Sequence, residues 1–138
     1  MTDAADPAGT ARATLPLLVV DGANVVGSVP DGWWRDRRGA AERLRDRLVP
    51  YARSGVATLA GPLELVLVVE GAARGVASVP GVRVEEAPGS GDDRIVEIAA
   101  AAGERPCLVV TADRELRRRV AELGAEVTGP RAVLGRTF

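Results

Sequence analysis

Apolar residues along this chain come in two rhythms. Near-continuous apolar runs at residues 17–21 (LLVVD), 63–70 (LELVLVVE) and 106–111 (PCLVVT) predict strands covered on both faces. Shorter segments at 82–85 and 125–128 predict two more strands. Between the runs the spacing turns helical. In residues 36–54, Ala40, Ala41, Leu44, Leu48, Tyr51 and Ala52 are separated by charges, and Pro50 is expected to kink or shorten that helix. In residues 92–102, Ile95, Val96, Ile98, Ala99 and Ala102 supply the apolar side. Asp92 stands where that helix should begin, and Gly103 where it should stop. After Asp113, the residues Leu116, Val120 and Leu123 recur at i, i+4 and i+7, with Gly124 beyond them. A loop is expected after the first strand, through Gly27, Pro30 and Gly32. The stretch 71–80 reads as a short helix or turn, and the tail GPRAVLGRTF carries no clear period.

This alternation predicts an α/β fold, a mostly parallel five-stranded sheet with helices on both faces. Residues 1–14, rich in Ala, Asp, Pro, Gly and Thr, read as a disordered leader, and residues 15–138 as a single domain. Right-handed crossovers bring the carboxyl ends of the strands to one edge, where open α/β sheets bind ligands.

Composition narrows the chemistry. The chain has 18 basic and 19 acidic residues, no histidine and one cysteine, Cys107. Histidine bases, histidine-ligated zinc and internal disulfides are therefore excluded. A lone cysteine fits a reducing compartment, and no segment approaches the length of a membrane helix or resembles a secretory signal, so a cytoplasmic location is expected. Every basic residue is arginine, which the heavy use of Ala, Gly, Val and Pro explains as codon bias in a GC-rich genome.

The acids are not scattered. Asp21 and Glu70 end strands, Asp92 and Asp93 open the third strand's following helix, and Asp113 and Glu115 follow the fourth strand. On the expected topology all six lie along the carboxyl edge. Each has a plain structural explanation. Asp92 and Asp113 suit helix caps, Glu70 a solvated strand end, and Asp21-Gly22 a turn. Gathered together they repel one another unless a cation or shared proton compensates. Oxygen donors without His or Cys suit Mg²⁺ or Mn²⁺, with some acids reaching the ion through water. Asn24 adds no charge and can orient such a water or hold Asp21, or simply stabilise the turn. Such a site suits hydrolysis of a phosphodiester. Arg37, Arg38, Arg74, Arg94, Arg114 and Arg117 could meet a polyanion, or lie on solvated helix faces. Trp33 and Trp34 could stack on bases or cover the core.

The segments VVDGANVVG, LVLVVEG, GSGDDRIVEI and LVVTADREL, in that order, resemble the motifs of the NYN domain, a branch of the PIN-like nucleases, and most of all the YacP-like ribonucleases. The likeness covers about residues 15–128. It implies a Rossmann-like sheet and a metal-dependent endoribonuclease using Mg²⁺ or Mn²⁺. Asp21, Asp92 and Asp113 match the family's metal-binding acids, and Asn24 its amide after the first strand. Glu70, Asp93 and Glu115 match secondary acidic positions. RNA is the implied substrate, with Arg37, Arg38, Arg74, Arg94, Arg114 and Trp34 as candidate contacts. YacP-like proteins usually continue further after the fifth strand. A surface completed by a second copy of the chain, or by a ribosome or another RNA-containing assembly, is therefore a further expectation. Two other readings stay open. One is a PIN-like RNA-binding module without useful catalysis. The other is a different Mg²⁺ phosphotransfer domain, Toprim-like through VVEG and the Asp113/Glu115 pair. A phosphatase with a nucleophilic aspartate is disfavoured, because Ala23 stands where its second acid belongs and lysine is absent.

Overall fold

The computed structural model describes residues 15–134, so the expected leader lies outside the described residues. Strand β1 (Leu17–Asp21) runs into helix α1 (Gly22–Gly27), and a 3₁₀ turn at Trp33–Arg35 precedes α2 (Arg37–Leu48) and the single turn α3 (Tyr51–Ser54). A small antiparallel hairpin, β2 (Gly55–Val56) and β3 (Leu59–Ala60), leads to β4 (Glu64–Val69). After a 3₁₀ turn at Gly71–Ala73 come β5 (Arg83–Glu86), α4 (Gly91–Ala101), β6 (Cys107–Val110), α5 (Arg114–Ala121), β7 (Glu126–Thr128) and α6 (Arg131–Leu134).

The five expected strands form one sheet in the order β5-β4-β1-β6-β7, and every pairing within it is parallel. β1 is central, with Asp21 level with Val68 and Val20 level with Val110. Alternation along each strand divides the core in two. Leu18, Val20, Leu65, Leu67, Leu108 and Val110 pack with Val25, Ala41, Leu44 and Leu48 of α1 and α2. Leu17, Val19, Val66, Val68 and Val109 pack with Ile95, Ile98, Leu116 and Val120 of α4 and α5. Continuous apolar strands are thus explained by burial from both sides. Cys107 is one of these core residues, and burial pushes its thiol up to about 11. Among the described residues, no helix is long and apolar enough to cross a membrane.

Four local expectations need correction. The segment after β1 is a short helix, not a loop, because Asp21 caps it and Val25 is buried against the sheet. The hairpin β2–β3 intervenes before β4. Asp92 does not cap α4; Ser90 does, accepting from the N–H groups of Asp92 and Asp93. The tail is helical at α6, where Val133 and Leu134 join the core and the Arg47 guanidinium donates to the Leu134 carbonyl. Pro50 does end α2 as expected, since α2 stops at Leu48 and Pro50 precedes the separate turn α3.

Gly22 permits the close packing of α1 on β4. A Cβ at this position would stand 2.6 Å from the Val68 carbonyl oxygen, a backbone atom that cannot turn aside. Gly22→Ala is therefore expected to cost about 1–2 kcal/mol, read from the midpoint of urea unfolding. An unchanged midpoint would mean that α1 can lift away freely.

Candidate functional site

The carboxyl edge of the sheet collects the acids from four separate segments. Asp21, at the end of the central strand, is only 4% exposed. One carboxylate oxygen accepts from the Asn24 N–H at 3.4 Å, capping α1, and the other from the Thr111 hydroxyl at 2.8 Å. The Thr111 hydroxyl oxygen in turn accepts from the Asp113 N–H at 3.1 Å. The Asn24 amide oxygen accepts from the Ala112 N–H at 2.8 Å. The start of the loop after β6 is thus fastened to the end of β1 by two side chains. Asp113 caps α5, accepting from the Leu116 N–H at 2.9 Å. Glu70, just past β4, accepts from the Gly91 N–H at 2.8 Å and so ties the beginning of α4 to the same edge.

These carboxylates act on one another across the edge. Burial pushes the Asp21 carboxyl up from 3.8 to about 6; the bonds from Thr111 and Asn24 oppose this, while the charges of Asp92 and Glu70 add to it. Asp92 is also raised, by burial first and then by Asp113, Glu70 and Asp93, with Arg119 opposing. Asp21, Glu70, Asp92, Asp93 and Asp113 therefore form one field of negative charge. Glu115 stands apart from it. It is exposed and paired with Arg118 at 2.6 Å, which holds its carboxyl below the ordinary value. Asp93 forms an ion pair with Arg119 at 3.1 Å.

Among the described residues, no three acidic side chains stand close enough to form a ready-made metal cage. The electrostatic coupling nevertheless extends from Asp21 through Glu70 and Asp92 to Asp113. The two observations agree if the acids surround a space wider than direct ligation to one ion requires. Both oxygens of Asp21 are engaged, whereas Asp92 and the second oxygens of Glu70 and Asp113 accept no hydrogen bond among the described residues.

The candidate RNA contacts divide sharply. Arg94 is paired with Glu85 at 2.7 Å and Glu97 at 3.1 Å. Arg74 donates to the Ala87 and Pro88 carbonyls and so holds the loop before α4. Arg38 donates to the Arg74 carbonyl, and Arg117 to that of Thr111 at 2.8 Å. Arg37 and Arg114 make no ion pair among the described residues. The Arg37 guanidinium lies over the Trp33 ring at 5.3 Å. Trp34, expected as the base contact, is 55% exposed and packs edge-on against Trp33.

Three residues of the site were missed in the sequence. Thr111 carried a signal, a hydroxyl at the end of an apolar strand opposite Asp21. Ser90 was one of three neighbouring cap formers, and Arg119 lay among other arginines of a charged helix. Because Thr111 is wholly buried, Thr111→Val should leave an Asp21 oxygen without its donor. The expected result is a loss of about 1–2 kcal/mol at neutral pH and a further rise in the Asp21 pKa. Both are measurable, by denaturation and by carboxyl NMR titration. An unmoved titration would show that the hydroxyl does not hold this carboxylate.

No protein-family model matches this sequence, and no curated protein does. Among solved structures, the fold is similar to Rae1 (YacP) from Bacillus subtilis. The likeness has a TM-score of 0.67 at 21% identity and covers 87% of this chain and 72% of that one. A mutant form of the same Bacillus protein gives a TM-score of 0.65 at 21% identity, over 86% of this chain and 71% of that one. The chain therefore has the YacP-like, PIN-like α/β fold expected from its motifs.

Proposed function

We propose that this protein is a metal-dependent ribonuclease that hydrolyses RNA phosphodiester bonds at the carboxyl edge of its sheet. The observation that carries this reading is the buried Asp21 carboxylate, held by Thr111 and Asn24 within a field of four further acids. A surface built to bind polyanions gains nothing from such a field. A site that binds a divalent cation does.

The residues fit that cation. All donors are oxygen, Arg119 offsets only part of the mutual repulsion, and Asp92, Glu70 and Asp113 keep oxygens for an ion or its waters. Mg²⁺ takes only one or two direct carboxylates and retains waters, which suits acids that do not converge into a tight cage. When bound, Mg²⁺ or Mn²⁺ supplies charge neutralisation at the phosphate and a more acidic water. The protein's own part is positional. Thr111 and Asn24 hold Asp21 and the loop after β6, Glu70 holds the start of α4, and Asp113 fixes α5.

The test is cleavage of a mixed labelled RNA pool by purified protein with Mn²⁺, Mg²⁺ or EDTA. Cutting that needs the metal supports the proposal. RNA binding with no cutting under any metal would favour a binding module instead.

A further inference from the structure

A small cavity opens beside the acidic field, and none of the roles described so far uses it. It holds about 160 Å³ and is lined by Trp33, Arg37, Glu70, Val26, Val69 and Ala73, with Gly22. Two of these connect it to the site. Gly22 follows Asp21 in the chain, and Glu70 is one of the acids that act on Asp21. Its walls combine three features. Trp33 and the Arg37 guanidinium, which lies 5.3 Å from the ring centre, offer flat polarisable surface. Val26, Val69 and Ala73 offer apolar surface. Glu70 offers a carboxylate oxygen that accepts no hydrogen bond among the described residues.

Size decides what fits. A cavity of roughly 150 Å³ admits one benzene-sized ring, whereas complete small-molecule sites run to about 300–1,000 Å³. The space suits one six-membered ring, with the rest of a nucleotide left outside it. The polar groups complement the edge of a pyrimidine. Its ring N–H or amino group can donate to Glu70, and its carbonyl oxygens can accept from Arg37. Stacking on an aromatic or guanidinium plane is the usual way a protein holds an unpaired RNA base.

We infer that this cavity binds one pyrimidine base, and, resting on the nuclease reading, that the base belongs to a nucleotide beside the bond that is cut. Trp33 and Arg37 then select the cleavage position, while the acids carry out the cleavage.

The protein has only two tryptophans, so in a Trp34→Phe background Trp33 is the sole reporter of its own cavity. Free nucleosides are the probe, because they lack the phosphate that the carboxylates would repel, and EDTA removes metal from the measurement. Cytidine and uridine are expected to quench Trp33 fluorescence saturably, at several-fold lower concentration than adenosine and guanosine. Adding Ala73→Met, which narrows the cavity and keeps the reporter, is expected to abolish the quenching while cooperative unfolding remains. Absence of saturable quenching, quenching unchanged by Ala73→Met, or equal quenching by purines would each overturn the inference. Failure of the nuclease reading looks different. A protein that binds pyrimidines but never cuts RNA keeps the cavity's role and loses the catalytic one. A protein that cuts RNA with metal but shows no quenching does the reverse.

Discussion

Asp21→Asn is expected to lower metal-dependent RNA cleavage on the order of 10²-fold or more, with the fold intact. Asparagine has nearly the same shape; its amide oxygen can accept from the N–H of Asn24, while its NH₂ group faces the Thr111 hydroxyl, whose oxygen must then accept instead of its hydrogen donating. What it lacks is the charge. If that charge helps hold the cation against the phosphate, cleavage fails while far-UV circular dichroism and cooperative unfolding are preserved. Asp113→Asn should behave similarly, because asparagine caps a helix nearly as well as aspartate and α5 would keep its first turn. Single-turnover cleavage at saturating Mn²⁺ is the measurement. Wild-type rates in both variants would remove these two carboxylates from the chemistry.

The second expected result concerns stability, and it has the opposite sign from most substitutions of buried residues. An unfolded Asp21 carboxyl ionises near 3.8 and the folded one at about 6. Between those values the folded state holds the additional proton, so stability falls as pH rises through the window and levels off above it. The ionised carboxylate therefore costs the metal-free protein on the order of 3 kcal/mol at neutral pH. Asp21→Asn should recover most of this above pH 6 and almost none at pH 4. Urea denaturation in EDTA at the two pH values compares them directly. A variant less stable than wild type at both would mean that Asp21 serves the fold chiefly as the cap of α1. Adding Mg²⁺ or Mn²⁺ should then raise the wild-type midpoint and leave that of the variant in place. Activity would thus be obtained at the expense of stability at a single residue.

The parts of the fold that could be read from sequence share one physical property. Strands buried on both faces need unbroken apolar runs, and LLVVD, LELVLVV and CLVV supplied them. The helices α2, α4 and α5 were legible because each covers only one face of the sheet and must alternate. The misses arose where local preference and tertiary packing disagree. GANVVG has two glycines and two β-branched valines, poor helix formers in isolation, yet it is helical because Asp21 caps it and Val25 is buried. Two-residue strands such as β2 and β3 are too short to show any period. SGDD offers adjacent residues that can all cap a helix, and only the backbone decides in favour of Ser90. The acids of the site were visible as strand ends and helix starts. Thr111, the residue that joins two of them, showed only as a hydroxyl closing an apolar run, and the sequence does not say what that hydroxyl faces.

The bond between Thr111 and Asp21 spans 90 residues of chain, and so bears on the order of events during synthesis. Asp21 leaves the ribosome early, Asp92 much later and Thr111 later still. Until β6 has paired with β1, the first carboxylate has neither its hydroxyl partner nor its full set of acidic neighbours. A nascent or truncated chain that ends before residue 111 therefore carries the first motif without the hydroxyl that holds it. If the protein cuts RNA, it emerges beside the largest RNA assembly in the cell in an inert form, and becomes armed only when its last long crossover closes.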